Sequence, residues 1–116
     1  MKKQLHPVLT IRLFRDEKCF GPGIAQLLEC VEEHHSLRAA AQSMNMAYSK
    51  AWTMVRHCEE VLELKLLVST TGGRHGGGAA VTEEGRALLQ TYRRYCARLQ
   101  EAAAEIFMEE FSDYAL

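Results

Sequence analysis

No apolar run in these 116 residues approaches the ~20 residues of a membrane span. The basic N-terminus, Met1-Lys2-Lys3-Gln4-Leu5-His6-Pro7, is not followed by an apolar block and a small-residue cleavage site, so no secretory leader is expected. These absences exclude a membrane partner and point to a soluble, cytoplasmic protein. The four cysteines, Cys19, Cys30, Cys58 and Cys96, contain no CxxC pair and no zinc spacing. Buried or half-buried free thiols are expected instead. His34 and His35 are adjacent, so on a helix they point about 100° apart and cannot share a metal. No paired acid and base stand at a recognisable spacing and no nucleophile motif appears. The expectation is no enzyme, no metal and no cofactor.

An excess of positive charge is also lacking: the formal net charge is −1. Division along the chain changes its meaning. Residues 1–35 carry five Lys/Arg and five Asp/Glu, residues 36–82 five and three, and residues 83–116 four and seven. From Ser36 to Cys58 there are three cations and no acid. A mildly basic middle is therefore joined to an acidic tail. The length suits one domain with one core.

What is present is mainly helical. Val8 to Arg15 is rich in β-branched residues and alternates from Thr10 to Phe14, which predicts a strand. Cys19-Phe20-Gly21-Pro22-Gly23 is turn chemistry, with Pro22 suited to the first turn of a helix. Over residues 23–34, Ile24, Leu27, Leu28 and Val31 share a stripe while Glu29, Glu32 and Glu33 face away, predicting an amphipathic helix. Ser36 is placed to N-cap a short helix, Leu37–Met44, and Asn45 tolerates the left-handed conformation that ends one. A third helix is predicted over Ala47–Leu62. Leu66–Thr71 and Ala79–Val81 read as strands around a glycine-rich tip. Thr82 is placed to cap a last helix reaching Phe111, with Glu83 and Glu84 favourable in its first turn.

Residues 36–62 hold the central signal. A short helix rich in alanine, a tight turn and a second amphipathic helix are the parts of a helix-turn-helix: small residues allow close crossing, and Met46 plugs the corner. In the second helix Ala47, Ala51, Met54, Val55, Cys58 and Leu62 form an apolar arc. Ser49, Thr53, Arg56 and Glu60 lie opposite, with Lys50 and Trp52 on opposite flanks. Arg56 can pair bidentately with guanine, and Ser49, Lys50 and Thr53 suit base edges or phosphates. Arg38 joins these candidates from the preceding helix. Glu60 repels phosphate, so the DNA-facing part should end near Arg56. Trp52 has two readings: packing, the commoner role of a lone tryptophan, and contact with DNA. Tyr48, nearer the apolar arc, can pack its ring and offer its hydroxyl to a phosphate. The bland alternative for the motif as a whole is a helical hairpin with a merely solvated polar face.

GGRHGGG lacks the GK[ST] ending of a phosphate-binding loop and precedes no helix. A plain flexible hairpin and a wing remain. Its place after the second helix favours a wing over residues 66–82 that carries Arg74 and His75 to the backbone or minor groove. In the last helix, over residues 83–111, Leu88, Tyr92, Tyr95, Leu99, Ala102 and Ile106 alternate spacings of four and three, the pattern of a coiled-coil seam. So long a helix outruns a small domain, which predicts that part of the seam covers a partner's core in a homodimer.

The run SLRAAAQSMNMAYSKAW and the later TTGGRHGGGAAVTEEG resemble the N-terminal winged helix-turn-helix domain of ModE-type regulators, relatives of the LysR-type DNA-binding domain. The similarity spans roughly residues 8–110. Its specific parts are Tyr48, Ala51 and Trp52, the glycine-rich tip around Arg74, and Val81-Thr82-Glu83-Glu84-Gly85. The resemblance implies a dimer held by the long last helix and the N-terminal region, with the recognition helix at Ala47–Leu62. Members of that family carry C-terminal molybdate-binding domains. The given chain stops at Leu116, so no molybdate site is expected in it.

The sequence therefore predicts one mainly α domain, a winged helix-turn-helix with a small β-hairpin and a long C-terminal dimerisation helix. The expected function is regulation of transcription by a homodimer on a palindromic operator of double-stranded DNA. The alternative is a protein-interaction module on a winged-helix dimer that no longer binds DNA, suggested by the net negative charge and by Glu59 and Glu60.

Overall fold

The computed structural model describes residues 3–70 and 78–114. Two short strands, β1 (Leu13–Arg15) and β2 (Glu17–Phe20), form an antiparallel hairpin ahead of the helices. They are followed by α1 (Pro22–His34), α2 (Leu37–Ser43) and α3 (Tyr48–Leu62). A second antiparallel hairpin, β3 (Leu67–Thr70) and β4 (Gly78–Val81), precedes α4 (Glu83–Glu110). Four helices and a small hairpin after α3 give the winged helix-turn-helix fold with a long C-terminal helix. No helix among the described residues is long and apolar enough to cross a membrane.

The helices begin where local chemistry starts them. Pro22 occupies the first turn of α1. Ser36 Oγ accepts from Ala39 N at 3.1 Å to cap α2. Thr82 Oγ1 accepts from Gly85 N at 2.9 Å and donates to Lys65 O at 2.6 Å, so one hydroxyl caps α4 and ties it to the approach of β3. Asn45, in the turn between α2 and α3, has φ 54°, as does a residue that tolerates the left-handed region. Met46 closes that turn, its N–H donating to Ala41 O and its side chain packing on the core.

The core lies where α1, α2, α3, β2 and the start of α4 meet. Leu27, Leu28 and Val31 of α1, Ala40 and Ala41 of α2, and Ala51, Val55 and Cys58 of α3 have no exposed surface. The alanines of α2 let α3 cross it closely, as the sequence implies, and α1 packs on the same helix. Two glycines are set by close approach. A Cβ at Gly85 would stand 2.9 Å from Leu66 O, and one at Gly78 would meet Thr70 Oγ1 directly across the hairpin. Ala79 N donates to His35 O, which holds β4 against the end of α1. All four cysteines are free, with Cys19 and Cys58 buried and Cys30 and Cys96 half-buried.

Three expectations are corrected. Val8 to Arg15 is not one strand: only Leu13–Arg15 is, and Val8 stands exposed. A β-branched run forms a strand only where a neighbouring strand pairs with it. Here Pro7 O and Ile11 O instead accept from Gln100 Nε2 and Tyr92 Oη of α4. Cys19-Phe20, expected in a turn, belongs to β2. The reversal occurs at Asp16, whose φ of 62° places it in the left-handed region. Tyr92, expected on a dimer seam, is 3% exposed. Its ring meets Phe20 edge-on at 5.0 Å and its hydroxyl donates to Ile11 O at 2.7 Å, so this chain's own core covers it.

Candidate nucleic-acid interface

The apolar arc of α3 fixes what the helix can present to a ligand. With Ala51, Val55 and Cys58 buried, Ser49, Thr53, Arg56 and Glu60 project into solvent. Burial raises the Cys58 thiol from 9.0 to about 12, with smaller contributions from Cys19 and Glu59, so this face stays uncharged. Thr53 Oγ1 donates to Ser49 O one turn back at 2.9 Å, holding its rotamer along the helix. Arg56 lies 4.0 Å from Glu60 Oε1 and 5.7 Å from the centre of the Trp52 ring. Exposed pairs of this kind are worth about 0–1 kcal/mol, so the guanidinium is free to exchange Glu60 for a stronger acceptor.

Lys50 and Trp52 leave α3 on opposite sides, as their spacing requires. Trp52 is 44% exposed, so its indole is not buried in the core. Tyr48 is also exposed, and Arg38 of α2 stands 4.2 Å above its ring. This cation–π contact brings a residue of the first helix to the start of the second. Seven of the nine DNA-contact candidates, Arg38, Tyr48, Ser49, Lys50, Trp52, Thr53 and Arg56, are thus exposed around the N-terminal two-thirds of α3. Arg74 and His75 lie outside the described residues.

The two acids after Arg56 differ in role. Glu59 Oε2 accepts from Leu66 N at 2.8 Å and from Leu67 N at 3.3 Å. It therefore secures the entry of β3 and is not a free surface charge. Glu60 faces solvent. This use of Glu59 was not legible in sequence, since nothing local distinguishes it from its neighbour.

Of the proposed seam, Leu88 and Leu99 are half-buried while Tyr95, Ala102 and Ile106 are exposed. Bidentate Arg93–Glu29 and single Arg86–Glu32 contacts fasten the first half of α4 to α1. The second half extends away from the core. At ~1.5 Å per residue, the 28 residues of α4 span about 42 Å, and the radius of gyration is 17.7 Å, against about 13 Å for a compact chain of this length.

Residues 25–86 match the family described as bacterial regulatory helix-turn-helix protein, lysR family. The chain belongs to that family. It is a family of regulators, not of enzymes. The chain is also similar to the transcriptional regulator ModE of Haemophilus influenzae, with 32% identity over 108 residues, covering 93% of this chain and 42% of that protein. To the DNA-binding transcriptional dual regulator ModE of Escherichia coli K12 the identity is 29% over 108 residues, covering 92% and 40%. The molybdenum-pterin-binding protein MopA of Rhodobacter capsulatus shares 38% over 64 residues, covering 55% and 24%. The chain thus spans about two fifths of the ModE relatives' length, and the stretch similar to them runs through this family's helix-turn-helix.

Proposed function

We propose that this chain is the DNA-binding part of a transcription regulator and acts as a homodimer. In this reading α3 enters the major groove with Ser49, Thr53 and Arg56 towards the base edges. Lys50, Tyr48 and Arg38 meet phosphates, and Trp52 borders the groove. The hairpin β3–β4 serves as the wing, with Arg74 and His75 as its backbone or minor-groove contacts. The carrying observation is the outward face of α3, exposed over its whole length and without an acid before Glu59.

Dimerisation is assigned to Tyr95, Leu99, Ala102 and Ile106, supported by Leu88 and by the apolar Met108 and Phe111 beyond them. Ile106 and Met108 are 56% and 59% exposed, which leaves apolar surface for a second copy to bury. Two copies related by a two-fold axis would read a palindromic operator whose half-sites lie about 10–10.5 base pairs apart. Molybdenum stands in the names of relatives such as MopA, and molybdate recognition is not assigned to these residues. The protein-interaction alternative loses one of its supports, because Glu59 is occupied within the fold.

Selection of genomic fragments on the purified protein at moderate salt tests the proposal. Enrichment of one shared sequence with two-fold symmetry is the expected result. A pool that remains unenriched through repeated rounds contradicts it.

A further inference from the structure

A groove of about 450 Å³ lies beside α3 on the Lys50 side, formed with the β1–β2 hairpin and the start of α1. Its floor is apolar, with Phe20, Ile24 and Met54. Arg12, Lys18, Lys50 and His57 stand along it, and no carboxylate lines it. Glu17, outside the lining, has its Oε1 3.8 Å from His57 Nε2. Among the described residues, Arg12, Lys18 and Lys50 form no ion pair. The opposite side of α3 is different in kind. There a groove beside Trp52 collects Glu59, Glu60, Glu63 and Glu84 against Arg56 and Lys65.

The size of a helix gives this asymmetry a consequence. An α-helix with its side chains is about 10–12 Å across, and the major groove is about 12 Å wide. A helix seated there fills it, so its two flanks face the two bordering phosphate strands. Only one flank of α3 carries unpaired cations over a surface free of acid. We infer that the β1–β2 hairpin is part of the DNA interface, with Lys18 and Arg12 joining Lys50 on one phosphate strand bordering the α3 groove. The inference rests on the proposed DNA binding and adds a contact element and a docking direction to it. The hairpin lies before the helix-turn-helix in the chain, and β1 and β2 lie outside the matched family region. Acid on the other flank turns that side away from its strand, so α3 sits tilted towards β2.

The test is binding of a fluorescein-labelled 30-base-pair duplex of mixed sequence, followed by anisotropy from 50 to 300 mM NaCl. Each phosphate contact contributes about 0.9 to the slope of log affinity against log salt. The Arg12→Gln/Lys18→Gln variant should lower the slope by about 2, and Lys18→Arg should keep the wild-type slope. Lys65→Gln, on the acidic side, should leave it unchanged. Thermal unfolding of each variant checks that the fold is intact, and both side chains are exposed. A wild-type slope in the double variant, with Arg56→Ala weakening binding, overturns this inference and leaves the proposed function standing. An equal loss of slope in Lys65→Gln also overturns it, because the effect would then be one of total charge. No binding by the wild type at any salt overturns both.

Discussion

The two flanks of α3 are built from the same helix and put their charges to different use. On the Trp52 side the carboxylates include one that works inside the fold, since Glu59 satisfies two backbone amides at the entry of β3. On the Lys50 side Arg12, Lys18 and Lys50 line a groove and form no ion pair among the described residues, while His57 there lies 3.8 Å from Glu17. Charge already satisfied within the fold stabilises it. Unsatisfied charge of one sign is available to a ligand of the other. Sequence position alone does not separate these cases, because Glu59 and Glu60 are neighbours and only one is committed.

The largest expected effect breaks the comparison on the acidic side. Glu59→Ala leaves two partly buried N–H groups without their acceptor and should cost about 1–3 kcal/mol, read as a lower urea midpoint at unchanged slope. Glu59→Gln keeps an oxygen acceptor and should recover part of the loss. Glu60→Ala should change stability by no more than about 0.5 kcal/mol. Equal losses in Glu59→Ala and Glu60→Ala would remove the distinction drawn between them.

The next effect lies on the face between the flanks. Arg56→Ala should reduce discrimination between an enriched sequence and a mixed one by roughly 5- to 150-fold, the worth of one bidentate base contact. A uniform loss across sequences would reassign Arg56 to the phosphates. The smallest effect belongs to the buried face. The Cys58 thiol is raised to about 12 by burial, so above pH 9 the unfolded chain loses a proton that the folded chain keeps. Stability from this group is complete below pH 9 and is lost as pH rises towards about 12. Thermal midpoints should fall less between pH 8 and 10.5 in Cys58→Ala than in the wild type.

Much of this organisation was legible because the signals are local. The cap residues Ser36 and Thr82, the left-handed Asn45 and the apolar stripe of α1 each state their role within a few residues. The 3.6-residue period of α3 separates its buried arc from its polar face and sets Lys50 opposite Trp52. What escaped were long-range pairings. The β1–β2 hairpin was hidden because Val8 to Arg15, alternating from Thr10 to Phe14, reads like one longer strand. Asp16, a residue type that tolerates positive φ between two short runs, was the available clue. Tyr92 fits a seam by spacing, yet the partner of its hydroxyl is 81 residues away in the N-terminal segment. Periodicity names the buried side of a helix and not which part of the molecule buries it. The same limit kept Lys18 and Arg12 out of the candidate interface, since only the folded hairpin brings them beside Lys50.

The central claim is that α3 reads the major groove in each half of a two-fold dimer. Methylation protection of guanine N7, on a duplex enriched by genomic selection, tests it most directly. The account predicts two protected patches about 10–10.5 base pairs apart, with both lost in Arg56→Ala at protein concentrations that still protect the backbone. Protection of the backbone alone, with every guanine N7 open in the wild type, would contradict it.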